Sequence, residues 1–119
     1  MRDFRRLKVW GQAHQLTLDC YVATRPFPQG ERFGLVSQIR RSASSVAANI
    51  AEGCGRDTSK EFRRFLSIAA GSVTELRNHL LLSRDLGLMG PDTFRELDGQ
   101  AASVRKMLAG LMANPDGRR

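Results

Sequence analysis

Two stripes of different chemistry share the stretch from Gly34 to Arg56. Val36, Ile39, Ala43, Val46 and Ile50 recur in steps of three and four, the spacing that stacks side chains on one helical face. Gln38, Ser42, Ser45, Asn49 and Glu52 keep the same rhythm and are read as the opposite face. The first stripe is apolar and must be buried. The second is small and polar; small side chains let another helix approach closely, and their polar groups bond across the contact. The stretch is therefore expected to be a helix with neighbours on two sides, and the rest of the chain must provide at least one of them.

Three further helices are legible. In residues 5–24, Val9, Ala13, Leu16, Cys20 and Ala23 form one stripe, with Leu7, Trp10, His14 and Tyr21 beside it. So wide an apolar face suits a helix with more than one partner. The run Arg25-Pro26-Phe27-Pro28-Gln29-Gly30 stops it. Helix two spans 31–52, with Gly53 suited to the left-handed position just past its end. Thr58-Ser59-Lys60-Glu61 has the form of a capping box and opens helix three, 58–86. Phe62, Leu66, Ala69, Val73, Leu76 and Leu80 are its core stripe. Gly71 at mid-helix costs about 1 kcal/mol relative to Ala, which points to close packing or a bend there. Gly87 ends the helix, and Gly90-Pro91 opens helix four, 91–112, on Phe94, Leu97, Ala101, Val104, Leu108 and Leu111. No segment alternates with period two, so no sheet is expected. The expected fold is all-α: an antiparallel, up-down-up-down four-helix bundle forming a single domain over 1–113, followed by a disordered polar tail at 114–119.

That topology turns charge into a pattern. The chain carries 19 Lys plus Arg against 12 acids, a net +7. Arginine dominates the bases, and its planar guanidinium suits phosphate. The start of helix one, the end of two, the start of three and the end of four share one pole. Arg5, Arg6, Lys8, Arg56, Lys60, Arg63, Arg64, Arg105 and Lys106 fall at that pole, which carries the whole net charge, while the other pole is balanced. The turn Gly53-Cys54-Gly55-Arg56-Asp57 leads into the start of helix three, and helix N-termini favour anions. These nine residues are the candidate contacts to the phosphates of RNA or DNA, without sequence preference. The competing reading is a solvated helix start whose charges bind nothing.

Sites for catalysis are thin. There is no P-loop spacing and no Glu-x-x-His pair of the di-iron kind. Glu75 and His79, four apart, suit a local hydrogen bond. His14 beside Trp10 reads as a histidine at the core edge, and Cys20 and Cys54 as small buried hydrophobes. Asn49 and Glu52 suit bonds across a helix contact or a cap. Arg40 and Arg41 suit either a ligand or a salt bridge between subunits. No catalytic residue, metal or cofactor is expected, and the chain is not expected to be an enzyme. No apolar run is long enough for a membrane span or a signal peptide, so a cytoplasmic protein is expected, with no membrane partner.

Several segments resemble a known family. They are Leu7-Lys8-Val9-Trp10 with Ala13, Phe27-Pro28, Glu31 with Phe33-Gly34-Leu35, Ser37-Gln38-Ile39-Arg40-Arg41-Ser42, Ala48-Asn49-Ile50-Ala51-Glu52-Gly53, Phe65-Leu66, and Ala70-Gly71-Ser72 with Glu75-Leu76. Together they are similar to the four-helix bundle family first noticed in intervening sequences of 23S rRNA genes, from about Phe4 to Leu111. The resemblance implies the bundle, assembly into ring-shaped homopentamers, and a role like that of relatives which act as accessory proteins to the reverse transcriptases of diversity-generating retroelements. In those relatives a basic barrel binds nucleic acid and the polymerase. A pentamer agrees with a two-faced helix two, which makes Gln38, Arg41, Ser42, Ser45, Asn49 and Glu52 the expected contacts between copies. The chain departs from the family at Arg77, where a further acid is common.

Overall fold

The computed structural model describes residues 2–116, and among them the chain is all-helical, with no strand. A 3-10 turn, Phe4–Arg6, leads into α1, Lys8–Thr24. Then come α2, Ser37–Cys54, α3, Ser59–Asp85, and α4, Pro91–Ala113. The rod measures 45 × 24 × 19 Å.

Side-chain bonds between helices fix the direction of each neighbour. Between α1 and α2, Thr17 Oγ1 donates to Ala43 O at 3.1 Å and Arg40 Nε to Thr24 Oγ1 at 3.0 Å. Between α2 and α3, Arg41 meets Glu75 and Ser45 meets Ser72. Between α3 and α4, Arg77 meets Asp98 and Arg63 meets Met112. Between α4 and α1, Gln100 meets Asp19 and Ser103 meets Gln12. In each pair of helices one residue number rises as the other falls, so all neighbours are antiparallel and the bundle closes as a square. The apolar stripes meet inside it: Leu16, Ile39, Val46, Ile50, Phe62, Leu66, Val73, Leu76, Leu80, Val104 and Leu108 are fully buried.

The ends follow local chemistry. Thr58 Oγ1 accepts the Glu61 N–H at 3.1 Å and caps α3, but the Glu61 carboxylate turns to Arg64, so only half of the expected capping box forms. Gly87, φ +76°, closes α3, with Gly87 N–H donating to Arg84 O and Leu88 N–H to Ser83 O. That pair of bonds is a Schellman ending, and it demands the left-handed residue that Gly supplies without strain.

Four expectations change. Helix two does not run unbroken from residue 31: a 3-10 turn at Gln29–Glu31 and one wide π turn at Arg32–Val36, non-helical at Gly34, precede α2. Gly53 is not left-handed; it lies inside α2, where a Cβ would stand 2.9 Å from Phe65 Cβ and 3.2 Å from Phe62 Cδ1. Its role is close approach of α2 to α3. Gly71 is exposed and a Cβ there would meet nothing within 4 Å, so packing does not require glycine. The tail is anchored as far as it is described, since Pro115 O accepts from Arg2 Nη2 at 3.0 Å and Asp116 accepts from Ser59 Oγ at 2.6 Å. Residues 117–119 lie outside the described residues.

Candidate nucleic-acid interface

One pole gathers the start of α1, the end of α2, the start of α3 and the end of α4. Arg2 ties three of these together. Its N–H donates to Cys54 O at 3.1 Å, its guanidinium lies 3.9 Å from the Phe62 ring centroid, and it reaches Pro115 and Asp116. Arg63 Nε donates to Met112 O at 3.1 Å and so satisfies a free carbonyl in the last turn of α4.

The nine basic residues expected here divide by what already holds them. Arg5 pairs with Asp3, Arg56 with Glu52 at 2.9 Å, and Arg64 with Glu61 at 3.0 Å. Hydrogen bonds from these arginines pull the Asp3 and Glu61 carboxyls below their ordinary range. The guanidinium groups of Arg56 and Arg64 also stand 4.7 and 4.6 Å from the Phe65 ring. Arg56 is paired at the surface, and its Nε is enclosed without a hydrogen-bond partner. A four-residue step from Glu52 explains it. Arg6, Lys8, Lys60, Arg63, Arg105 and Lys106 are exposed and pair with no carboxylate among the described residues. Arg105 and Lys106 sit about two turns back from the end of α4, on its flank rather than its tip.

An aromatic ladder adjoins these cations. Phe4 meets Trp10 edge-to-face with centroids 5.0 Å apart, and Trp10 stacks on His14 at 4.9 Å with 13° between the planes. Phe4 and Trp10 are half-buried; His14 is exposed, and so is not the core-edge residue expected. Arg5 stands 5.9 Å from the Phe4 centroid.

The profile of the 23S rRNA-intervening sequence protein family matches residues 5–110. The chain belongs to this family. No curated protein matches it. A solved structure from Bacteroides thetaiotaomicron, described as a protein with unknown function from the S23 ribosomal protein family, superposes with a TM-score of 0.79 at 20% identity. The match covers 87% of this chain and 97% of that one, and it shows the shared fold.

Of the six α2 residues expected to meet another copy, Ser42 is buried within the chain, Gln38, Ser45 and Asn49 are half-buried, and Arg41 and Glu52 are exposed. Ser42 is fully buried, 0% exposed, and donates to Gln38 O at 2.7 Å. Ser45 Oγ lies 3.1 Å from Ser72 Oγ on α3, and Asn49 bonds back to Ser45. Arg41 pairs with Glu75 at 2.7 Å and bonds Gln38; Glu52 holds Arg56. The second neighbour that the small residues announced is α3 of the same chain, whose Ala69-Ala70-Gly71-Ser72 run is equally small. Arg40 turns to buried Thr24 and to the Tyr21 ring at 4.5 Å, while Arg41 stays exposed beside Glu75.

The remaining titratable groups are local in reach. Glu75 accepts from Arg41 and lies 3.2 Å from His79 Nε2, the local bond expected. Arg77 forms two bonds to Asp98 at 2.7 and 3.1 Å, which raises its own pKa. Burial pushes the Cys20 thiol up to about 12 and the Cys54 thiol upward. Both remain inert thiols. Among the described residues no group of His, Cys, Asp or Glu could hold a metal, and no helix is long and apolar enough to cross a membrane.

Proposed function

We propose that this protein is a non-catalytic nucleic-acid-binding accessory factor whose basic pole holds RNA or DNA by its phosphates. The observation that carries the reading is the concentration at one pole of Arg6, Lys8, Lys60, Arg63, Arg105 and Lys106 without carboxylate partners among the described residues. Arg5, Arg56 and Arg64 would exchange a surface carboxylate for a phosphate, whereas these six have no carboxylate to give up among the described residues. The family's description, with its link to 23S rRNA intervening sequences, favours RNA. Cytoplasmic location, assistance to a reverse transcriptase and assembly into a homopentamer belong to the same proposal. Leu18, Tyr21 and Val22, exposed together on α1, also support self-association.

The test is a gel shift across a salt series. Six engaged cations give a slope of log K against log salt of roughly −4 on single strands, with unrelated sequences competing equally. No shift at low salt would refute it. A second reading, an acidic protein partner, draws on one feature: a mainly apolar groove of about 340 Å³ between Leu7, Lys8 and Val9 of the α1 start and Met107, Gly110, Leu111 and Asn114 of the α4 end. An apolar anchor flanked by carboxylates fits there, and binding to such a partner with no nucleic-acid shift would favour it.

A further inference from the structure

We propose that the ligand of the pole is single-stranded, and that one unpaired base stacks on His14 as the next rung of the Phe4–Trp10–His14 ladder. This rests on the nucleic-acid reading above and adds what that reading lacks, a contact that only an unstacked base can make. Phosphate contacts hold duplex and single strand alike, whereas a ring platform is open only to bases free of a partner.

Three features converge on His14. One face of its imidazole is covered by Trp10, and among the described residues no further ring covers the other. Gly11, one turn back and exposed, leaves open space, for a Cβ there would meet nothing within 4 Å. The register fixed by Thr17 and Ala43 sets this part of α1 opposite the Ala47–Ala51 turn of α2, which bears no charge to repel a phosphate. Arg6 in the 3-10 turn before α1 and Lys8 in its first turn are exposed, and the acid beside them, Asp3, is held by Arg5. A strand whose base rests on His14 therefore runs its backbone towards the unpaired cations of the pole. Trp10, itself half-buried, fixes the imidazole plane, so the platform exists before the ligand arrives.

The chain has a single tryptophan, in the ladder itself, so its fluorescence reads the contact. The full chain is titrated at low salt with rU12, with dT12 and with a 12-base-pair RNA duplex, following labelled-strand anisotropy and Trp10 emission. Single strands are expected to bind and change the emission, and the duplex to leave it unchanged. His14→Ala is expected to weaken single-strand binding about tenfold, the scale of one lost base stack, without altering duplex binding. His14→Phe restores the ring and is expected to restore affinity. Binding of rU12 alone or of dT12 alone supports the proposal and names the strand. Equal binding of duplex and single strands, untouched by His14→Ala, overturns the stacked base while leaving the phosphate contact standing. No binding by any of the three overturns both.

Discussion

Gly53→Ala tests the packing at the heart of the bundle, because the same substitution elsewhere in this chain has the opposite sign. In an open helix interior, Gly to Ala stabilises by about 1 kcal/mol through backbone propensity. At Gly53 the added methyl would stand 2.9 Å from Phe65 Cβ, 3.2 Å from Phe62 Cδ1 and 3.4 Å from Phe62 O. Phe65 Cβ is fixed to the backbone and cannot swing aside, so α2 and α3 must part. Overpacking of this kind costs about 1–3 kcal/mol. The contact is with rigid atoms of a fully buried seam, which places the cost near 3 kcal/mol and the net loss near 2. Gly71→Ala is the control: it is mid-helix, exposed and has nothing within 4 Å of the new methyl, so it gains up to about 1 kcal/mol. Urea unfolding followed by circular dichroism gives both midpoints; the m-values should stay equal. A Gly53→Ala midpoint at or above the unsubstituted protein's would show that α2 and α3 do not approach as described.

Other consequences are simpler to state. Burial raises the Cys20 pKa from 9.0 to about 12, so its contribution is complete below pH 9 and is lost as pH climbs towards 12. Stability should fall by about 1 kcal/mol more between pH 8 and 10 in the native chain than in Cys20→Ala; parallel pH profiles would contradict this. Arg77 and Asp98 form a two-bond pair, but Arg77 is 42% exposed in its side chain, so solvent screens it. A double-mutant cycle on Arg77→Ala and Asp98→Ala should return under about 1 kcal/mol of coupling, shrinking with salt. Thr58→Ala removes the cap of α3 and should cost about 1 kcal/mol in urea unfolding; no change would mean the start of α3 is held otherwise.

Much of the fold was legible because its signals are local. The three-four stripes, the Thr58 cap, Gly87 and Pro91 each depend on a few neighbouring residues, and each falls where the spacing put it. What failed depended on partners. Gly53 looks the same to its neighbours whether it ends a helix or admits one, and only Phe62 and Phe65 across the contact decide. The polar stripe of α2 suggests a contact with another copy, but its spacing cannot show that α3 of the same chain meets Ser45 and Arg41, that Ser42 is buried, or that Arg41 and Glu52 remain exposed. Arg56 and Glu52 stand four residues apart, a spacing that allows their ion pair but does not by itself fix it. His14 and Trp10 stand at i and i+4, a spacing that does announce a stack, yet Phe4 joins them from outside α1, and no periodicity within the helix predicts that third ring.

The central claim is that unpaired charge at one pole, rather than overall basicity, binds nucleic acid. The most direct measurement is the affinity of a labelled rU12 for a chain with Arg6, Lys8, Lys60, Arg105 and Lys106 all changed to Gln, beside a control with Arg25, Arg32, Arg84 and Arg95 of the far pole changed likewise. All these positions are exposed, so unfolding midpoints should stay close to the native value. The first variant should lose most of its binding and most of its salt slope while the second keeps both. Equal losses in the two would contradict the claim, since binding would then follow net charge alone.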